Sequence, residues 1–242
     1  MRFNSILWKE WMVFKNRFLS TTLGAVIGPL LYLIAFGWGI GSAVQVDGVS
    51  YTAFVIPGIV ALNSMTNSYS WVANDINLSR IYAKTFEAVM VAPIKMSVYA
   101  FTRISTSAFR GLYSALLILL IAFAFQIPLP LDWYFFLVLL LNCYVFATIG
   151  FIVGLLVDSH ADMAKISNFV ITPMSFLCGT FFPLERFPIA LRTAFNLLPL
   201  SQAVSGMRLG FTSLSSLFVP LVLLAYLIVL MPISIVICKR AE

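Results

Sequence analysis

The sequence predicts an all-α polytopic membrane protein, folded as a single transmembrane domain over residues 1–242. Hydrophobic residues make up 61% of the chain and charged residues only 10%, against about 25% charged in soluble domains. The mean hydropathy is +1.00, and the charges form a few clusters separated by long uncharged runs. So much apolar surface must face lipid as well as a protein core, which excludes a soluble globular protein.

An interfacial amphipathic helix is predicted at residues 1–17. Its apolar residues recur at steps of three and four along one face, and they are Phe3, Leu7, Trp11, Phe14 and Phe18. The opposite face carries Arg2, Ser5, Lys9 and Asn16. Trp8 and Trp11 favour a position in the lipid headgroup region over the alternative, a solvated cytoplasmic helix.

Six transmembrane spans are predicted from the uncharged runs, each long enough to cross ~30 Å of hydrocarbon as a helix. They are residues 18–46, 48–74, 111–131, 133–157, 166–184 and 209–238. An even number of spans places both termini on the same side. Only Arg186, Arg192 and Arg208, of the 15 basic residues, fall on the other side. The positive-inside rule therefore makes both termini cytoplasmic. The basic surplus is thus a topology signal, and no nucleic acid partner is expected.

Small residues recur at four-residue spacing within the spans. The GxxxG pairs are Gly24 with Gly28, Gly37 with Gly41, and Gly150 with Gly154. Such pairs allow helix backbones to approach closely in lipid, either within one chain or between two copies.

Span two carries a polar stripe on one helix face. It consists of Asn63, Thr66, Asn67, Ser70 and Asn74. Polar groups in hydrocarbon must be paired or wetted, so this face points to protein or to water. Hydrogen bonding between helices and a translocation cavity are the two interpretations.

The sequence offers no catalytic or metal-binding constellation. The spans contain no carboxylate, and the single histidine, His160, lies between Asp158 and Asp162 in a short loop without further ligands. The phosphate-binding motif GxxxxGK[ST] is also missing. We therefore expect a chain that is not an enzyme and binds no cofactor itself.

Residues 75–95 form the most unusual cytoplasmic segment. A short helix is predicted from Thr85 to Val91, before Pro93. An exposed helix with Phe86, Val89 and Met90 needs a covering surface. That surface is either a partner or the protein's own membrane face.

The outer segment, residues 179–208, is too apolar for a solvated loop and too interrupted by prolines for a full crossing, which predicts a re-entrant block. Glu185 and Arg186 lie between Pro183 and Pro188, and a helix after Pro188 would bring Arg192 towards Glu185. The alternatives are an extracellular gate and a surface loop with solvated charges.

Two arginines share one face of the helix that enters span three. Arg110 lies about two turns deeper than Arg103, where an unpaired charge costs ~2.5 kcal/mol or more. Arg110 therefore needs a buried partner or a lipid phosphate.

Four segments in order resemble the signature segments of ABC type-2 exporter permeases, most closely the nodulation-factor, polysaccharide and drug exporter branch. They are YTAFVIPGIVALNSM (51–65), KTFEAVMVAPI (84–94), GTFFPLERFP (179–188) and NLLPLSQAVSGMR (196–208). The similarity covers essentially the whole chain.

The resemblance implies a permease of the bacterial inner membrane that works as a homodimer or with a related permease. Two separate ATPase subunits bind on the cytoplasmic side and hold ATP and Mg²⁺. Substrate would pass between protomers, under the re-entrant block. It implies coupling to the ATPase through Lys84, Thr85, Phe86, Glu87, Val89, Met90 and Pro93, with Lys9 and Trp11 on the N-terminal helix.

The resemblance implies a substrate path along faces of spans one, two and five, which makes the polar stripe of span two the candidate path. Together with the proline-bounded pattern, it makes Pro183, Glu185, Arg186 and Pro188 the candidate residues of the outer gate. The expected function is ATP-driven export of an amphiphilic, lipid-linked or drug-like substrate. A secondary carrier or channel without an ATPase partner is the alternative.

Overall fold

The computed structural model describes residues 2–35, 45–46, 49–92, 94–211 and 214–240, and within these ranges not the side chains of residues 2–7, 9, 33, 45, 46, 49, 214 and 215. Pro93, Gly37 and Gly41 lie outside the described residues.

Eleven α-helices and one short strand pair are seen within these ranges. The helices are α1 (Arg2–Asn16), α2 (Phe18–Leu33), α3 (Tyr51–Ile81), α4 (Thr85–Val91), α5 (Met96–Ala124), α6 (Trp133–Leu156), α7 (His160–Ile166), α8 (Thr172–Leu177), α9 (Ile189–Asn196), α10 (Pro199–Leu209) and α11 (Phe218–Arg240). Between α2 and α3, β1 (Gln45–Val46) pairs antiparallel with β2 (Val49–Ser50). A π-helical turn (Ser167–Ile171) joins α7 to α8, and 3₁₀ turns lie at Leu184–Arg186 and Leu214–Leu217.

The core of the molecule is α3, which packs against α5, α6 and α10. Small residues bring these helices together: a Cβ at Gly150 would lie 2.5 Å from the Tyr69 carbonyl oxygen, and one at Gly154 2.9 Å from that of Ala73. Helix α6 therefore contacts α3 through its GxxxG pair within one chain. At Gly24 and Gly28 of α2, by contrast, a Cβ would meet nothing within 4 Å.

Within the described part of the chain, three helices, α5, α6 and α11, are long and apolar enough to cross a membrane by length and composition. They correspond to the predicted spans three, four and six. Helix α5 begins at Met96 rather than at residue 111, because the charges that limited the predicted span are paired inside the bundle, as described below.

The remaining predicted spans are less regular. Span one corresponds to α2 and ends before the strand pair, where β-branched Val46 and Val49 favour extended backbone. Span two corresponds to α3, which continues past residue 74 to Ile81. Span five is divided into α7, the π-helical turn and α8, and ends at Leu177. A count of six crossings stays a prediction.

The outer block consists of the Leu184–Arg186 turn, α9 and α10. One carboxylate fixes the end of this block to α6. Asp132 Oδ1 accepts from the Phe135 N–H at 2.8 Å and so caps α6, and its Oδ2 accepts from the Phe211 N–H, also at 2.8 Å. Whether the block re-enters the membrane stays a prediction.

Candidate functional site

The polar stripe of α3 faces a groove beside α2. Asn63, Thr66, Asn67 and Ser70 line a cavity of about 270 Å³ together with the small residues of α2, Gly24 and Gly28. Asn74 does not line it and is exposed. The structure thus brings four of the five predicted path residues together.

The asparagines of this groove are only partly used in packing. Asn63 Nδ2 donates to the Ala25 carbonyl oxygen on α2 at 3.3 Å, and Asn67 Nδ2 donates back to the Asn63 carbonyl oxygen at 2.9 Å. Helix-to-helix bonding therefore accounts for Asn63, whereas Thr66 and Asn67 bond within α3. The bond from Asn63 to α2 agrees with hydrogen bonding between helices, and a translocation cavity along the stripe stays a prediction.

Helix α4 is held against the bundle by Phe86, one of the predicted coupling residues. Phe86 is only 4% exposed, and its ring centroid lies 6.0 Å from that of Tyr99 on α5. Val89 and Met90 are partly buried against the same core. The chain itself therefore covers Phe86 almost fully and Val89 and Met90 in part, which agrees with the second of the two predicted covering surfaces.

The outward face of α4 is a different set of side chains. Exposed on it are Lys84, Thr85, Glu87, Ala88 and Val91, the last with 88% of its surface accessible. Lys84 precedes the helix in the left-handed region at φ 49°. Three of the predicted coupling residues, Lys84, Thr85 and Glu87, are thus exposed, and their coupling role stays a prediction.

A buried charge cluster joins α1, α3 and α5. Glu10 accepts from Arg103, and its second oxygen lies 3.4 Å from Arg110 Nη2. Arg103 also pairs with Asp75 of α3. The Arg110 guanidinium lies 3.4 Å from the centroid of the Trp71 ring, a cation–π contact. Arg110 therefore has the buried partner that its depth required.

Glu10 is the residue that sequence reasoning missed. It lies in the interfacial helix, outside every predicted span, yet it is 6% exposed. The available signal was that it is the first acidic residue of the chain and precedes the next, Asp47, by a long apolar run. The predicted coupling residue Trp11, beside it, is 51% exposed.

The end of α3 is fastened to the end of α6. Asn77 Nδ2 donates to the Val157 carbonyl oxygen at 3.0 Å, Arg80 donates to that of Leu155, and Arg80 Nη2 lies 3.4 Å from Asp158. In the first turn of α7, hydrogen bonds from Lys165 and Ser159 lower the pKa of Asp162. Among the described residues, no group of three or more His, Cys, Asp and Glu could hold a metal ion.

The outer block encloses a second cavity, of about 350 Å³, between residues 178–185 and helices α9 and α10. Pro183 and Glu185 line it, whereas Arg186 and Pro188 are exposed and do not. Glu185 Oε1 lies 3.7 Å from Arg192 Nη2, as the spacing of seven residues predicted. The four predicted gate residues are thus divided between the cavity wall and the surface.

Arg208 fastens this block to α3. Its Nε donates to the Phe54 carbonyl oxygen at 3.0 Å and its Nη2 to that of Thr180 at 2.8 Å. Gly58 makes room for the contact, since a Cβ there would lie 2.6 Å from the Thr180 oxygen. Sequence reasoning placed Arg208 in the block but gave it no role.

Comparison with known proteins agrees with this architecture. A family model described as "ABC-2 type transporter" matches residues 1–212. The inner membrane transport permease YadH of Escherichia coli K12 is 31% identical over 90% of this chain and 85% of its own length. Nodulation protein J of Rhizobium leguminosarum bv. trifolii is 30% identical, and that of Rhizobium meliloti 29% identical, each over 83% of this chain and 77% of the relative.

Proposed function

This chain belongs to the ABC-2 type transporter family, and we propose that it is the membrane-spanning permease subunit of an exporter powered by a separate ATPase. Two ATPase subunits with bound ATP and Mg²⁺ would act on a pair of permeases, identical or related, from the cytoplasmic side of a bacterial inner membrane. The observation that carries the proposal is α4, a short helix fixed to the bundle by Phe86 with a charged outward face.

The fixed position of α4 suits it to transmit force. Because Phe86 packs on Tyr99 of α5, a displacement of α4 presses directly on a helix long enough to cross the membrane. The outward face, with Lys84, Glu87 and Val91, offers a partner one charge of each sign and an apolar contact. Helix α1, joined to α5 through Glu10, supplies a second contact through Trp11.

Substrate would move along the groove of α2 and α3. The groove joins amide and hydroxyl groups of α3 to the bare glycine face of α2, so both polar and apolar portions of an amphiphile find complementary surface. A second permease placed against the open face of Gly24 and Gly28 would convert the groove into a closed path between protomers. The outer block, with Glu185 and Arg192, would close the exit.

The substrate class follows from the same groove. Its mixture of polar and apolar groups fits an amphiphilic, lipid-linked or drug-like molecule taken from the cytoplasm or the inner leaflet.

A secondary carrier or channel is the alternative function, favoured by the open polar groove alone. Affinity purification from native membranes in a mild detergent separates the two. An ATPase subunit retained at one copy per permease, with measurable ATP hydrolysis, supports the proposal. A permease that transports in vesicles with no retained ATPase, and without ATP, establishes the alternative.

A further inference from the structure

The cavity of the outer block has a wall with an excess of positive charge. Two arginines, Arg192 and Arg208, line it against a single carboxylate, Glu185. At about 350 Å³ it is within the range of small-molecule sites and large enough for a phosphate or carboxylate group. A bound anion would neutralise the excess positive charge of this wall.

Arg208 has hydrogen-bond partners, but among the described residues no carboxylate lies close enough to form an ion pair with it. Both its bonds go to backbone carbonyl oxygens, those of Phe54 and Thr180, and its guanidinium lies 3.6 Å from the centroid of the Phe54 ring. None of the ion pairs found among the described residues includes Arg208. A partly buried guanidinium whose hydrogen bonds go only to neutral acceptors keeps an unpaired positive charge, which an anion could stabilise.

Glu185, the carboxylate of the cavity wall, forms no ion pair with Arg208. It is 67% exposed, and it already lies 3.7 Å from Arg192, which is itself 47% exposed. An exposed pair at that distance is weak, and it leaves Arg192 available to a stronger acceptor. The Glu185 carboxylate therefore competes with a bound anion for Arg192 but does not occupy the cavity.

Neutral donors complete the wall beside the arginines. Ser201 is 1% exposed, and its hydroxyl has no nitrogen or oxygen partner among the described residues, lying next to the Cys178 thiol. It belongs to the first turn of α10, where the helix dipole favours negative charge. Asn196, at the end of α9, adds a side-chain amide.

We propose that this cavity binds an oxyanion, a phosphate or carboxylate group, between Arg208 and Arg192, with Ser201 as a further donor. The group comes either from the headgroup of an anionic lipid or from an anion in solution. This inference concerns binding alone and needs neither an ATPase nor export, so its failure would leave the proposed function untouched.

The test uses the full-length chain in a neutral detergent. Native mass spectrometry measures retention of phosphatidylglycerol against phosphatidylcholine with the same acyl chains. Thermal unfolding at constant ionic strength measures stabilisation by inorganic phosphate relative to chloride. The variants are Arg208→Gln, Glu185→Gln and, as the matched control, Arg186→Gln, an exposed arginine of the same block that does not line the cavity.

If the anion comes from lipid, we expect the chain to retain phosphatidylglycerol more strongly than phosphatidylcholine. If it comes from solution, we expect phosphate to stabilise the chain more than chloride does. Arg208→Gln should weaken that binding about tenfold, equivalent to about 1.4 kcal/mol. Glu185→Gln should strengthen it, because the competing carboxylate is removed, and Arg186→Gln should leave it unchanged.

The Glu185→Gln variant tests the proposal even if Arg208→Gln fails to fold, since the Glu185 side chain is 67% exposed. No anion preference in either arm would overturn the proposal. A preference that Glu185→Gln does not increase, or that Arg186→Gln abolishes equally, would overturn it as well.

Discussion

Glu10 Oε2 lies 3.4 Å from Arg110 Nη2, and this contact joins the N-terminal helix to the interior of α5. The same carboxylate accepts from Arg103, which also pairs with Asp75. Helix α1 is therefore attached to the bundle by charge as well as by its apolar face. A displacement of α1 must either move α5 with it or break buried ion pairs.

The first prediction concerns this attachment. Glu10→Gln keeps the shape of the side chain but leaves Arg103 and Arg110 short of one buried carboxylate. Removing one partner of a buried pair costs about 3–5 kcal/mol, so the unfolding temperature in detergent should fall markedly. Glu87→Gln, an exposed carboxylate, should leave it nearly unchanged. Equal unfolding temperatures for both variants would show that Glu10 does not stabilise the bundle.

The second prediction separates docking from folding at α4. Glu87→Arg changes only the exposed face, so it should reduce ATPase retention and coupled export while the unfolding temperature stays constant. Phe86→Ala removes a side chain that is 4% exposed and should cost about 3–5 kcal/mol of stability. Pull-down and thermal unfolding of both variants check this. Normal coupling in Glu87→Arg would remove this face from the mechanism.

The third prediction compares two glycines from GxxxG pairs. Gly150→Leu forces a side chain against the Tyr69 backbone and should lower stability by at least about 1–3 kcal/mol. Gly24→Leu meets open space in one chain and should leave its folding intact. If α2 faces a second permease, however, Gly24→Leu should reduce dimer cross-linking. A loss of folding in both variants would contradict the difference in packing.

The fourth prediction concerns the outer block as a gate. Glu185→Ala should leave ATPase binding intact but alter export or basal ATP hydrolysis, because it releases Arg192. Labelling of Phe187→Cys by an impermeant thiol reagent should differ between nucleotide-free and nucleotide-trapped complexes. The three native cysteines are buried and give little background. Equal labelling in both states, with normal export by the Glu185 variant, would leave only a passive loop.

Sequence patterns predicted what depends on local periodicity. Charge-free runs identified α6 and α11, and the short helix predicted from Thr85 to Val91 is α4 with the same bounds. The depth of Arg110 predicted either a buried partner or a lipid phosphate, and the structure shows the buried partner, Glu10. These features follow from helix geometry and from the cost of charge in lipid.

The remainder depends on tertiary contacts. The start of α5 at Met96 could not be read from charges, because Arg103 is neutralised by residues far away in the chain, Glu10 and Asp75. The inward direction of Phe86 depends on Tyr99, and the position of Arg208 depends on Gly58. A pattern along one helix indicates which residues share a face but not which face meets the protein.

The double role of Asp132 restricts how the outer block can open. While Asp132 accepts from Phe211, the end of the block and the start of α6 move as one body. At the other end, Gly179 has a φ of +78°, a conformation that glycine adopts without strain. The block is thus held at two places, by Asp132 beside α6 and by Arg208 beside α3, whereas no such bond to α3 or α6 is seen for the described Leu184–Arg186 turn. If the block opens as a gate, the turn is the part that can move without breaking either attachment.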